Sequence, residues 1–341
     1  KLAFVFPGFE VCGLTLAAIN TVNALQERGI EATVAYGKMA PGNSARMFPW
    51  RFSPIVAGSN GELIKRLRDL RDAGTTLVAT TWITAEFVAD ACEWSKGPEP
   101  VYWVQDDERR FVNESGRPTS DKEKVERSFK LLGRLAHNSA WVGHMLEGLG
   151  HESVQIPIGV DTDLFYPQTK PSDRVRIMAH CRISTPRRGW PFIARALNKL
   201  ALDGAEFELV TYDQEPHPDD LQMPWCGHLG KLHPEELARH MRAAHVFFEG
   251  SEFQGWGMQS LEAMACGCAL VSTDNGGVHE YGVSGKNCLV VDHGDVEGAA
   301  KALRALVDDP VARGKMASEA RTSAEQFTWH HVAEVWEGML T

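Results

Sequence analysis

FEGSEFQGWGMQSLEAMACGCALVSTDNGGVHEYG, residues Phe248 to Gly282, is the stretch that decides how the chain reads. It opens on the end of a buried strand, passes through a Gly-rich loop and enters a helix. Gly255 and Gly257 permit a backbone that curls close to a ligand. The helix start just after them presents free N–H groups and a positive dipole end, which suits an anion. Glu262 stands about two turns into that helix, too deep to act as a cap. Gln254 and Glu262 bracket the loop and can hold one polar ligand, such as a sugar and its attached ribose. Gly276 and Gly277 offer a second close-approach loop after the next strand.

Outward from this segment, short β-rich runs alternate with amphipathic runs of helix length. Strands are expected at Leu2–Phe6, Ala32–Tyr36, Leu77–Thr81 and Val101–Val104, then at Val175–Ala179, Phe207–Thr211, Val246–Phe248, Leu270–Thr273 and Leu289–Val291. Helices are expected at Leu14–Arg28, Leu63–Leu70 and Ala85–Trp94. In the second half they fall at Pro191–Leu202, Pro234–Ala244, Gln259–Cys266 and Val296–Val307. Leu14, Ala18, Val22 and Leu25 share one face of the first helix, and Gly29 stops it. Such alternation predicts parallel sheets covered on both faces by helices, with ligands at the carboxyl ends of the strands. The rhythm restarts once, so the class is α/β with two Rossmann-like, doubly wound domains facing a cleft. The Pro- and Asp-rich stretch IPIGVDTDLFYPQTKPSD is turn and linker chemistry. It sets the boundary near Pro167–Asp173: residues 1–167 with the terminal helix 327–341 form one domain, and 168–326 the other.

Bulk properties agree. A length of 341 residues suits two domains, and 43% hydrophobic with 23% charged residues is a globular composition. No run reaches the ~18 to 20 apolar residues of a membrane span. The opening KLAFVF is short for a signal core and reads as a buried strand. Acidic residues number 45 against 35 basic ones, a net charge of −10. That disfavours nucleic acid as a partner. Seven scattered Cys fit free thiols in a reducing cytosol, with peripheral membrane association left open.

The central segment resembles the retaining family 4 glycosyltransferases of the GT-B fold. Ser251, Gly255, Gly257, Glu262, Ala263, Met264, Ala265, Gly267, Thr273, Asp274, Gly276, Gly277 and Glu280 fall in the order of that family's motif. Gln254 departs from it, standing where the family carries Glu. An amide still hydrogen-bonds sugar hydroxyls but brings no charge to an oxocarbenium-like centre. CRISTPRRGWPFIARAL, from Cys181, resembles the segment whose two cations hold the donor diphosphate. Arg182 and Arg188 (or Arg187) match them, with Arg in place of the usual Lys. Guanidinium groups fork around phosphate oxygens. WCGHLGKLHPEELARHMRAAHVFFEGS resembles the loop that lies against the nucleotide base, here Gly227–Gly230. FPGFEVCGLTLAAINTVNAL resembles the first Gly-rich loop, with Gly13 at its turn. VATTWITAEFV and VYWVQDDERRF resemble a subgroup that includes rhamnosyl-type polysaccharide transferases.

The resemblance implies transfer of a sugar from a nucleotide-diphosphate sugar to an acceptor hydroxyl, with retention of configuration and without metal or cofactor. Arg182, Arg188, Gln254 and Glu262 would carry the chemistry. Gly13, Gly227, His228, Leu229, Gly255, Trp256, Gly257, Met258, Gly276 and Gly277 would bind the donor. Asp106 and Asp107 would face a glycan, lipid-linked or small-molecule acceptor, and the terminal helix would return to the first domain. Two other readings stand beside it: a nucleotide-sugar 2-epimerase-like isomerase, and a degenerate nucleotide- or carbohydrate-binding protein.

Several features read more plainly. Asp161-Thr162-Asp163 has the form of a metal-binding Asp-x-Asp but sits among Pro and Gly, as a hinge turn does. Cys266 and Cys268 are small packing residues. GVSGK around Gly285 lacks the first Gly and the Ser or Thr of a phosphate loop.

Overall fold

A computed structural model of the chain describes residues 1–8, 12–37, 51–113, 115–171, 174–213 and 226–340. In chain order the first half forms β1 (Leu2–Phe6), α1 (Gly13–Glu27), β2 (Ala32–Tyr36), β3 (Ile55–Val56), α2 (Asn60–Asp72), β4 (Thr76–Ala79) and α3 (Trp82–Glu93). Then come β5 (Val101–Val104), α4 (Lys122–Ser128), β6 (Arg134–His137), α5 (Ala140–Gly148) and β7 (Val154–Gln155). The second half forms β8 (Arg176–His180), α6 (Trp190–Leu202), β9 (Glu208–Tyr212), β10 (Cys226–His228), α7 (Pro234–Ala243) and β11 (Val246–Glu249). It continues with α8 (Met258–Ala265), β12 (Ala269–Thr273), β13 (Cys288–Val291), α9 (Val296–Asp308), α10 (Pro310–Ala324) and α11 (Trp329–Leu340).

The strands make two all-parallel sheets. One runs β3-β2-β1-β4-β5-β6-β7 and the other β10-β9-β8-β11-β12-β13. β1, β4 and β5 are buried along their whole length, as strands covered on both faces must be.

The chain divides into two compact units. The first comprises Lys1–Phe111, Ser120–Gly159 and Trp329–Thr341; the second comprises Val112–Thr119 and Val160–Thr328. The division at Gly159/Val160 falls before the boundary expected near Pro167–Asp173, of which residues 172–173 lie outside the described set. Hydrogen bonds within the second unit explain this. Val160 N–H donates to the Phe327 carbonyl, Arg242 to the Leu164 carbonyl, and Arg321 to the carbonyls of Phe165 and Ala265. The Pro-rich stretch is therefore tied down by side chains far away in sequence.

In the first unit, Ala3, Val5, Leu77, Ala79, Tyr102 and Val104 pack with Leu63, Leu67, Val88, Val142 and Leu146. Strand residues of the opposite parity, Phe4 and Trp103, meet Trp336 of α11 edge-on, at centroid distances of 5.1 and 5.5 Å. Arg28 at the end of α1 pairs with Glu334 and Glu337 on α11. Trp336 is fully buried, so α11 closes this sheet's second face.

Local signals place the helices. Thr81 and Thr84 form a reciprocal capping box at the start of α3. Thr81→Ala should cost about 1 kcal/mol in urea unfolding; a change under about 0.3 kcal/mol would show that the cap contributes nothing.

In the second unit, Ile177, Ala179, Leu209, Phe248 and Val271 pack with Phe192, Ile193 and Leu197 of α6 and Leu303 and Leu306 of α9. By strand alternation, His180, Tyr212, Glu249 and Ser272 belong to the opposite face. They are neighbours across the ladder: His180 pairs with Tyr212, and Glu249 with Ser272. The carboxyl edge of this sheet thus carries a row of polar side chains.

Candidate active site

The site grows from the point where the second sheet reverses its strand order, between β8 and β11. Chain connections leave these neighbours in opposite directions, which opens a crevice at their carboxyl ends. β8 leads to buried Cys181, then Arg182, then a single 3-10 turn at Pro186–Arg188. Gly189 follows at φ +70° and starts α6. A Cβ there would lie 1.9 Å from the Gly250 carbonyl oxygen, so only glycine lets the turn seat against the end of β11.

After β11, the backbone N–H and hydroxyl of Ser251 donate to Glu249 Oε1 at 2.9 and 2.6 Å. Gln254 is held on both sides: its N–H donates to the Asn275 carbonyl at 2.9 Å, and its carbonyl accepts from Gly277 N–H at 3.0 Å. The two loops predicted to approach a ligand, around Gly255 and around Gly276-Gly277, are therefore joined through Gln254. Its side-chain Oε1 accepts from Arg188 Nη1. The Nε groups of Arg182 and Arg188 and the Nε2 of Gln254 are buried with no hydrogen-bond partner among the described residues.

Gly257, at φ +93°, caps α8. An added Cβ would come 2.6 Å from the Tyr281 hydroxyl and 2.7 Å from Gln254 Nε2. By helix geometry the amides of Met258 and Gln259 have no acceptor inside α8. Two guanidinium groups and an open helix start thus arise from one unit, a combination suited to a multiply charged anion.

Glu262 projects from the second turn of α8. Burial pushes its carboxyl up to about 8, and the nearby charge of Asp161 adds to the shift. A carboxyl raised in this way stabilises the fold while protonated. Its contribution is full below about pH 4.5 and is lost as pH rises through about 8. Glu262→Gln, which cannot ionise, should raise the melting temperature at pH 8 by roughly 2–6 °C and by much less at pH 5. An equal change at both pH values would contradict the assignment.

The other expected donor residues separate. Gly227 and His228 lie on edge strand β10 instead of in a loop, because Cys226–His228 pairs with β9. His228 Nδ1 lies 3.0 Å from Thr211 Oγ1, and Leu229 N–H donates to the Thr211 carbonyl. Trp256 is buried, with its ring against Tyr281 and Phe327 at 6.0 and 5.5 Å. Its ring therefore packs within the protein, and its backbone is the part left for a ligand. Asp161 Oδ1 accepts the N–H groups of Asp163 and Leu164, so this Asp-x-Asp is a turn. Among the described residues no three or more His, Cys, Asp or Glu side chains gather as a metal site. The six cysteines described are free thiols.

Sequence reasoning missed Tyr212. It is 4% exposed, its hydroxyl has no partner among the described residues, and its ring stacks on His180 at 5.1 Å. His180 Nε2 in turn lies 2.5 Å from Asp213 Oδ2. Burial holds the Tyr212 phenol far above its usual range, with the charges of Glu262 and Glu249 adding to this. Only its place at a strand end hinted at a role.

In the first unit, Gly13 begins α1 after β1, and residues 9–11 of the expected Gly-rich loop lie outside the described set. Asp107 is buried and doubly bonded to Arg109, at 2.7 and 2.9 Å, so it is a structural ion-pair partner and not an open acceptor contact. Asp106 Oδ1 accepts the Asp107 N–H. Glu108 was not anticipated. Burial lifts its carboxyl to about 7, against hydrogen bonds from Trp82 N–H and the Tyr102 hydroxyl that pull it down. After β5, the Gln105 carbonyl accepts from Asn138 Nδ2 at 2.8 Å, and Gln105 Nε2 and Asn138 Oδ1 are buried with no partner among the described residues.

Comparison with known proteins places the fold. Residues 174–309 match the family described as Glycosyl transferases group 1. The MMP alpha-(1->4)-mannosyltransferase of Mycolicibacterium hassiacum is 29% identical over 187 residues, covering 52% of this chain and 45% of that protein. The D-inositol 3-phosphate glycosyltransferase of an Arthrobacter species is 34% identical over 136 residues, covering 40% of this chain and 31% of that protein. The chain thus spans less than half the length of these two relatives. Anabaena HepE, solved with UDP-glucose, superposes with a TM-score of 0.81 at 17% identity, covering 99% of both chains. The sucrose-phosphate synthase of Thermosynechococcus elongatus superposes with a TM-score of 0.75 at 15% identity, covering 99% of this chain and 97% of that one. The chain therefore has the GT-B fold of two parallel-sheet α/β units, and its second unit carries a stretch matching the group 1 glycosyl transferases.

Proposed function

We propose that the protein is a nucleotide-sugar-dependent glycosyltransferase that retains the configuration of the transferred sugar. One observation carries this reading: Arg188, which follows β8, is bonded to Gln254, whose amide lies against the open start of α8 after β11, so a cation and free helix N–H groups meet across the strand-order reversal in the unit that carries the group 1 glycosyl transferase match. In this reading the guanidinium groups and the Met258 and Gln259 amides hold the donor diphosphate. They also stabilise the charge that develops as it leaves. Glu262, ionised on binding, accepts from the ribose hydroxyls. The Gly227–Gly230 stretch lies against the base. The acceptor hydroxyl attacks from the face the diphosphate leaves, and a departing phosphate oxygen takes its proton.

The first unit supplies acceptor recognition, with Asp106, Gln105 and Asn138 as its polar groups. The relatives' names point to sugar and inositol-phosphate acceptors. No described helix is long and apolar enough to cross a membrane.

Thermal unfolding with UDP, GDP, dTDP and ADP tests the donor half. One nucleotide at about 100 times its dissociation constant should add roughly 2.7 kcal/mol to stability. The anomeric proton coupling of the product then tests retention. An inverted product would overturn the same-face mechanism while leaving the donor site intact.

A further inference from the structure

Arg188 and Gln254, each of which departs from the segment it resembles, are bonded to each other. Resting on the donor-site reading above, we propose that Gln254 is a positioning residue for Arg188: a neutral clamp that orients the guanidinium without neutralising it, so that its full charge is kept for a diphosphate.

Gln254 is built to be rigid. It is 3% exposed, its backbone is bridged to Asn275 and Gly277, and its amide packs against Gly257 at the start of α8. Rigidity of this kind fixes where Oε1 points, and Oε1 takes one of the five N–H donors of Arg188. The orientation is thereby set while the donor fork stays largely uncommitted. A carboxylate in the same place would also accept from Arg188. It would, however, form a charge-assisted pair and set a negative charge beside the anion to be bound. Among the described residues no carboxylate is ion-paired to Arg188, which agrees with a cation held in reserve. Gln254 therefore does not mark a decayed site. It suits an Arg at position 188, whose planar fork needs aiming in a way a lysine ammonium does not.

The opposite signs expected for two substitutions give the test. Binding of UDP, GDP, ADP, uridine and inorganic pyrophosphate is measured by calorimetry for the wild type, Gln254→Glu, Gln254→Ala, Arg188→Ala and Arg188→Ala/Gln254→Glu. Gln254→Glu should weaken the preferred diphosphate and pyrophosphate at least tenfold and leave the nucleoside unchanged. Gln254→Ala should weaken them only a few-fold, because orientation is lost and no charge is added. In the double variant, the further loss from Gln254→Glu should shrink markedly relative to the same change in the wild type, since most of it acts through Arg188. Unfolding midpoints of the variants exclude global damage. Equal or tighter diphosphate binding by Gln254→Glu overturns the proposal. So does an undiminished effect of that change once Arg188 is gone. Pyrophosphate binding without preference for any nucleotide, but with the expected Gln254→Glu loss, would sink the nucleotide-sugar reading and keep the clamp. Wild type that binds neither nucleotide nor pyrophosphate overturns both.

Discussion

Arg188→Ala should weaken binding of the donor nucleoside diphosphate by roughly 100-fold, or about 3 kcal/mol. Each charge-assisted hydrogen bond to phosphate is worth about 1.5–3 kcal/mol, and Arg188 can present more than one. The loss should be specific. Affinity for the bare nucleoside should stay within about a factor of two, because the base and ribose contacts assigned to Gly227–Gly230 and Glu262 remain. The fold should also survive, since Arg188 is partly exposed and, among the described residues, its side chain bonds to Gln254 alone. Calorimetry with nucleoside and nucleoside diphosphate separates these effects. A variant that binds the diphosphate as tightly as the wild type would remove the main cation from the account.

The largest loss of stability is expected from Gly189→Ala. The residue sits at φ +70°, where an alanine is strained by itself. The added Cβ would come 1.9 Å from the Gly250 oxygen and 2.9 Å from its carbonyl carbon. Both atoms belong to backbone at the end of β11. The neighbouring start of α6 is anchored by buried Phe192 and Ile193. Neither side can retreat without opening the core, so the cost should reach about 3–5 kcal/mol in denaturant unfolding. A cost below about 1 kcal/mol would show that the turn is softer than its packing indicates. Because Arg188 immediately precedes Gly189, any variant that folds should also bind the donor nucleotide less well.

Much of the fold was legible because its signals are local. The buried apolar runs and Gly29 placed β1, β2 and α1 to within a residue or two. Other elements were missed although their signals were present. Ser139 accepts from Val142 N–H at the start of α5, and Asp309 with Pro310 caps α10 in the manner expected of a helix start. β3 and β7 are two-residue strands, too short for any periodicity to show. The division at Gly159/Val160 differs from the boundary expected near Pro167–Asp173 because Pro and Gly report turn chemistry. They do not report that Arg242 and Arg321 reach back to bind the turn's carbonyls.

The site divides in the same way. Arg188 lies in one motif-bearing segment and Gln254, Gly257 and Glu262 in another, and all four could be named from residue order. Tyr212, Glu108, Gln105 and Asn138 could not. Their distinction is burial with unusual polar surroundings, which arises only when folding brings residues distant in sequence together at the end of a sheet, Tyr212 in the second unit and the other three in the first. Asp107 shows the converse: its position after β5 suggests an open carboxylate, whereas Arg109, two residues on, holds it in a buried ion pair.

The most direct test of the central claim is acceptor-dependent release of nucleoside diphosphate. Wild type and Arg188→Ala would be incubated with UDP-, GDP-, ADP- and dTDP-sugars, with and without sugar and inositol-phosphate acceptors. Sugar transfer predicts that one donor releases its nucleoside diphosphate in step with glycosylated product, only with acceptor present, and that Arg188→Ala lowers the rate at least 100-fold. A donor sugar altered without any acceptor, or a nucleotide that binds tightly and never turns over with any of these acceptors, would contradict it.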